Sequence, residues 1–490
     1  MRRPSLFAFA PVALALAAAC SSAPVEDEAV EADDAALDYR STVGKEFDVT
    51  TELAVTLAGA DAELTGEART AKASALAQAK IDEVTRALDK KLWEIWPEDR
   101  RQGEKNIVAM VRMGTPTGGD LREDGATFRF AYRAEVAGPN DLLEALPLEG
   151  AADARTLKLA VSDEDLVLAW APSPVTADAY PRYAEMFEDG LDIAIHVGGD
   201  HYDPRNDLRE AQAIYDELLL LGMRSPVGSF AELKLDSGPF EGSLPVAGKQ
   251  VAVRTTLVHA DMAPDDRLQD LVDSFKTVAS KADVVIYRGH AGTNLSYSGV
   301  VVHYNPRVAI PASDFKSLAL TDKYQLFVFD GCETYTGYAD KLYEHPGKDE
   351  KNADVITSVN YGSALVRAES VRSLLHGLLD KTGTRWVPRS WDAILKGVND
   401  TQRGRWTSIY GVHGLADNPK LSMLADPSKI GRSCRTNSQC GGGDSLCVTM
   451  GETRVCGAAC TDDAACPSGT TCRPVRSRTL GSIKQCLPRR

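Results

Sequence analysis

Hydrophobic and polar positions follow three different rhythms along the chain. Over 39–170, Phe47, Val49, Thr51, Leu53, Val55 and Leu57 alternate with their neighbours, the period of a strand with one buried face. Ile81, Val84, Leu88, Leu92 and Ile95 then recur at three and four, which predicts an amphipathic helix that Pro97 ends. Phe128, Phe130, Tyr132, Ala134 and Val136 alternate again, with Arg129 and Arg133 on the outward side. A small α+β domain is therefore expected over 39–170, without a constellation that suggests chemistry. Ala171-Pro172-Ser173-Pro174 opens a linker expected over 171–190.

Over 191–424 the strand segments become short continuous apolar runs alternating with helical periods. Asp192 to Val197 runs into Gly198-Gly199, and Leu208, Ala211, Tyr215 and Leu218 mark the next helix, closed by Gly222. Val251 to Val258 is a strand, and Leu268, Leu271, Phe275 and Val278 a helix. Val284–Tyr287, Gln325–Phe329 and Val355–Val359 are further strands, and Val371, Leu374, Leu375 and Leu378 a further helix. This alternation predicts an α/β unit, a mainly parallel sheet flanked by helices. Its functional groups should lie just past the C-terminal ends of the strands.

In the third region, 432–490, the apolar rhythm disappears and cysteines replace it. Cys434, Cys440, Cys447 and Cys456 are spaced much like Cys460, Cys466, Cys472 and Cys486. Two four-cysteine repeats, each closing two bridges, form the expected disulfide-rich module, with the pairing left open. Metal ligation is the rival, but the segment has no histidine and no Cys-x-x-Cys pair.

The start of the chain changes the picture from fold to location. Arg2 and Arg3 precede an apolar run from Leu6 to Ala19, which reads as a signal peptide over 1–19. Leu16-Ala17-Ala18-Ala19-Cys20 is similar to the lipobox of bacterial lipoproteins, with the leucine one place further from the cysteine than usual. That resemblance implies lipidation of Cys20, and Ser21-Ser22 after it implies export onward to the outer membrane, on its periplasmic or surface face. The acidic, alanine-rich stretch over 20–38 reads as a disordered tether. Ordinary cleavage at the alanines, releasing a soluble protein, is the competing reading. At 43% hydrophobic and 26% charged, with a net charge of −15, the chain is globular in type and lacks the clustered cations a nucleic-acid partner requires.

Of the 10 cysteines, Cys332 alone lies in the body of the protein. It follows the apolar strand Leu326-Phe327-Val328-Phe329 in Asp330-Gly331-Cys332-Glu333-Thr334, just as His290 follows Val284-Val285-Ile286-Tyr287 in Arg288-Gly289-His290-Ala291-Gly292. Neighbouring parallel strands would bring both to one sheet edge, where an imidazole can help a thiol to ionise. The adjacent glycines would let substrate backbone approach and leave N–H groups for an oxyanion.

These two strand–turn motifs resemble those of the caspase-like cysteine peptidases, which include caspases, legumains, separases and gingipains. The resemblance implies a caspase-like fold over 191–424, with Cys332 as nucleophile and His290 as acid and base. It implies an oxyanion hole from the amide of Cys332 at the Gly331 turn and from Ala291 or Gly292. Tyr410-Gly411-Val412-His413-Gly414 and Asp417-Asn418-Pro419 are faintly similar to the closing stretch of gingipain-type domains. One departure is that Ala291, rather than glycine, follows the histidine.

The implied activity is an exported cysteine endopeptidase acting on a peptide or protein through a thioester, tethered to the membrane by its lipid and requiring no cofactor or metal. The alternative is a non-catalytic surface binding or adhesion lipoprotein that keeps the fold. A reactive Cys332 thiol favours the enzyme, and an inert or disulfide-bonded one favours the binder. His196 and His201 flank Gly198-Gly199-Asp200 near the expected site edge and are read as structural, as are His259, His303, His345 and His376. Rival hydrolase and nucleotide-binding motifs are absent: there is no Gly-x-Ser-x-Gly, His-Glu-x-x-His or phosphate-binding Gly-Lys loop.

Overall fold

The computed structural model describes residues 31–32, 39–98, 109–113, 117–151, 155–201, 204–291, 299–362, 368–382, 385–401, 408–441 and 443–489. The expectations for the signal peptide, Cys20 and Gly292 lie outside the described residues. Among those residues no helix is long and apolar enough to cross a membrane.

Alternation in the first region produces a half-buried antiparallel sheet. Gly44–Thr56 pairs with Thr127–Pro139 along its whole length, from Gly44 opposite Pro139 to Thr56 opposite Thr127. The long helix Gly66–Ile95 lays Ile81, Val84, Leu88 and Leu92 into one core with Val49, Leu53, Phe130 and Tyr132. Arg129 and Arg133, on the opposite face, stay in solvent.

The second region is the α/β unit. Its elements in chain order are strand β1 (Leu191–Val197), helix α1 (Asn206–Leu220), strands β2 (Phe240–Val246) and β3 (Lys249–His259), helix α2 (Gln269–Ala279), strands β4 (Val284–Arg288), β5 (Gln325–Asp330) and β6 (Ala353–Ser358), helices α3 (Glu369–Leu379) and α4 (Trp391–Asp400), and strand β7 (Tyr410–His413). They build an eight-stranded sheet in the order β2-β3-β1-β4-β5-β6-β7, completed by Tyr39–Arg40. The five central strands are parallel, and β2, β7 and Tyr39–Arg40 are antiparallel additions at the edges.

Helices cover both faces, which explains why the central strands are continuous apolar runs. Val284, Ile286, Leu326 and Val328 face the core shared with α1, α3 and α4. Val285, Tyr287, Phe327 and Phe329 face the core shared with α2. The chain leaves β1 towards β3 and then crosses back to place β4 on the other side of β1. The switch point of this sheet, where crossovers diverge and a crevice opens, therefore lies between β1 and β4.

Two stretches have different surroundings from those their composition suggests. Within 171–190, Tyr180, Tyr183, Met186 and Phe187 are buried in the α/β core, so this segment packs instead of spacing. Tyr39–Arg40 pairs with β7, and Arg40 meets Asp392 of α4 at 2.6 Å, so the residues entering the first domain are also part of the second sheet. The tail holds four disulfides, Cys434–Cys447, Cys440–Cys456, Cys460–Cys472 and Cys466–Cys486, all within the two repeats.

Candidate active site

At the edge formed by the C-terminal ends of β1, β4 and β5, strand register dictates which side chains meet. Arg288 of β4 lies opposite Asp330 of β5 on one side and Val197 of β1 on the other. Because side chains alternate, Arg288 follows Val284 and Ile286 onto the α1 face, and Asp330 follows Leu326 and Val328 there. The Arg288 guanidinium donates to Asp330 Oδ1 at 2.8 Å and to Glu210 Oε1 of α1 at 2.7 Å, with all three side chains nearly inaccessible. Asp330 accepts further bonds from Ser370 Oγ at 2.5 Å and the Tyr410 hydroxyl at 2.7 Å. Its two carboxylate neighbours hold the guanidinium pKa far above its ordinary value, although burial opposes the charge. This network is the floor of the site.

Two residues further along each strand are His290 and Cys332. The backbone between the strands stays joined past their ends, since the Gly289 amide donates to the Asp330 carbonyl at 3.1 Å. The Tyr287 hydroxyl donates to the His290 carbonyl at 2.6 Å and accepts the Val301 amide at 3.0 Å, which pins the turn that carries the histidine. The turn tolerates no side chain at Gly289, where a Cβ would meet that hydroxyl at 2.6 Å. A Cβ at Gly331 would lie 2.5 Å from the Ala291 methyl and 3.0 Å from the Gly289 carbonyl. The two glycine turns are thus packed against one another.

His290 and Cys332 line the same narrow cleft, of about 30 Å³, together with Asp200, Asp207, Glu210 and Arg288. His290 is largely buried and Cys332 more so. The Cys332 sulfur is in a disulfide. Among the expected oxyanion residues, Gly331 lines the cleft, and the Ala291 methyl occupies the space directly above it.

The end of β1 supplies what the strand–turn motifs did not announce. Asp200 is buried, and its Oδ1 lies 3.4 Å from His290 Nε2 and 3.6 Å from His201 Nδ1. The same carboxylate accepts the amides of His201 at 2.6 Å and Asn206 at 3.3 Å, the latter at the start of α1. His201 and His290 both pack on Tyr304, each with 4.6 Å between ring centroids. Burial and the neighbouring His290 hold the His201 pKa below its ordinary value.

His196 is separated from this group. It lies on the α2 face, edge-on to Phe275, where burial pushes its pKa down to about 3. The sequence treats His196 and His201 alike, flanking one Gly-Gly-Asp stretch, but His196 is still within β1, whereas Asp200 and His201 lie in the turn beyond it, next to His290. A discernible signal for the floor was present too: opposite charges, Arg288 and Asp330, end two otherwise apolar strands.

No protein-family model matches the chain, and no curated protein matches it. A solved structure described as "Structure of Protease" is 9% identical, with a TM-score of 0.28, and the match covers 63% of this chain and 63% of that one. The chain therefore spans less than two thirds of the solved chain it matches, and likeness at that score carries no argument about activity.

Proposed function

We propose that the chain is an exported cysteine endopeptidase of caspase-like fold, with His290 and Cys332 as its dyad. The observation that supports this most is that the two residues follow adjacent parallel strands and line one cleft beside the sheet's switch point. In this reading the Cys332 thiolate attacks the peptide carbonyl carbon, and the protonated His290 gives its proton to the departing amine as the C–N bond breaks. His290 then takes a proton from water, whose oxygen displaces the thiolate from the thioester. The amide of Cys332 at the Gly331 turn, with one from Ala291 or Gly292, stabilises the oxyanion.

A sulfur in a disulfide cannot attack, so the oxidised form is latent and a thiol reductant is required to release it. The same disulfide favours a second reading, a non-catalytic surface protein that keeps the fold and binds a partner. Lipid anchoring at Cys20 belongs to the peptidase proposal, whose Cys332 is a free thiol. It is chemically exclusive of any bridge between Cys20 and Cys332, since a thioether sulfur forms no disulfide.

Hydrolysis of a broad peptide library by reduced protein tests the function. Cys332→Ala and His290→Ala should each abolish cleavage, and the double variant should lose little more than either, because the pair acts as a unit. A reduced, folded protein that cleaves nothing, or a Cys332→Ala variant that still cleaves, contradicts the peptidase and leaves the binder.

A further inference from the structure

Three potential ligand atoms converge over the cleft from two different strand ends. They are Asp200 Oδ1, His201 Nδ1 and His290 Nε2, and all lie within 4.8 Å of one another. The carboxylate oxygen is 3.4 Å from one imidazole nitrogen and 3.6 Å from the other. A tetrahedral zinc ion with bonds of about 2.0–2.2 Å needs ligand atoms roughly 3.3–3.6 Å apart. Both carboxylate–imidazole separations meet that need, and the two imidazole nitrogens lie within 4.8 Å of one another. Two imidazoles and one carboxylate are a donor set suited to zinc and poorly suited to calcium or magnesium, which take oxygen ligands.

The group also has the supporting contacts that a metal site requires. The Asp200 carboxylate is oriented by the His201 and Asn206 amides. The His290 turn is pinned by the Tyr287 hydroxyl, and the Tyr304 ring forms a wall against both imidazoles. Asp207 and Glu210 line the adjoining cleft, where their charge attracts a cation although Arg205 and Arg288 partly offset it.

We propose that Asp200, His201 and His290 form a zinc site at the mouth of the cleft, and that its occupancy shuts off the dyad. The second half of this statement rests on the peptidase reading, and the first half does not. Zinc held on His290 Nε2 prevents the ring from becoming the doubly protonated imidazolium that must deliver a proton to the departing amine. A bound dication is therefore a reversible inhibitor, and His201 is the residue that converts a catalytic histidine into a metal ligand.

The test uses the exported full chain with its tail disulfides intact, freed of metal by a chelator and titrated with zinc chloride by calorimetry. One zinc ion per chain is expected. His201→Ala and Asp200→Ala should each weaken binding by at least roughly 10–100-fold, the loss that follows when only the outer partners of metal ligands are altered. His376→Ala, whose ring is engaged by Glu217, should leave it unchanged. Cobalt in place of zinc should give the absorption of a tetrahedral ion in the wild type and lose it in His201→Ala. Absence of stoichiometric binding, or binding equal in wild type and both variants, overturns the site. In the selectively reduced protein, zinc should block peptide cleavage in the wild type and leave His201→Ala active at the same concentration. Equal inhibition of both overturns the regulatory role. Zinc binding without any cleavage activity leaves the site standing and removes the peptidase reading instead.

Discussion

In the first sheet, Arg129 and Arg133 reach solvent from a strand whose Phe128, Phe130 and Tyr132 are buried. In the eight-stranded sheet, helices seal both faces, and Arg288 and Asp330 are enclosed at the strand ends. The first sheet uses one face for a core and leaves Arg129 and Arg133 to water, with Glu135 a buried exception. The central strands of the second have no water-facing side, so a charge there must find a partner, and Arg288 finds two. Polar residues there are costly to keep, and one buried charge network, Arg288 with Asp330 and Glu210, lies where adjacent strands deliver His290 and Cys332. The difference teaches where chemistry belongs in this molecule: at the edge where buried strands stop together.

Replacing Arg288 by Met breaks the second arrangement most severely. Two buried carboxylates then lose their cation, a loss of about 3–5 kcal/mol for interactions of this type. Chemical denaturation should show the α/β unit melting far earlier, and unchanged stability would mean that the network contributes nothing net. A smaller effect separates two buried acids by cause. Glu135, near Glu46, Asp48 and Asp340, has its pKa pushed up to about 8, chiefly by burial and then by those like charges. Asp354 in the second sheet is pushed to about 7 by burial, although Tyr324, Trp391 and Asn418 all donate to it.

For both, the folded pKa lies above the unfolded value of about 4. The neutral form is favoured in the fold, so stability falls as pH rises from about 4 towards 7–8. Glu135→Gln should therefore gain melting temperature relative to wild type as pH is raised from 5 to about 8. A difference that is flat with pH would contradict the raised pKa. Buried His196 and His259, held down to about 3 and about 4, oppose this by losing stability as pH falls below about 6.5. The smallest effect is expected of Arg129→Ala on the open face of the first sheet, within about 0.5 kcal/mol of wild type. A loss as large as that of Arg288→Met would erase the contrast.

Elements with a local period were legible in the sequence. The alternation from Phe47 to Leu57 became the strand Gly44–Thr56, and the repeat from Ile81 to Ile95 became the helix Gly66–Ile95. The apolar runs before His290 and Cys332 became β4 and β5, and their glycine turns read correctly as strand ends. What was hidden depends on distant partners. Nothing near Tyr39 announces a strand partner in β7, and nothing near Ala171-Pro172 announces that Tyr183 and Phe187 will enter the α/β core. Glu210 lies on an ordinary amphipathic helix, and only the packing of α1 over β4 makes it the partner of Arg288. Asp200 and His201 were visible as residues near the site edge. The strand end that separates them from His196, and their approach to His290, become readable only after β1 is placed beside β4.

The rate at which reduced Cys332 reacts with iodoacetamide, followed by mass spectrometry with the tail bridges intact, tests the central claim most directly. With zinc removed, Cys332 should alkylate faster than a free cysteine near pH 7, and His290→Ala should slow it, because the imidazole favours the thiolate. A Cys332 thiol that reacts no faster than free cysteine, at a rate that His290→Ala leaves unchanged, would contradict it.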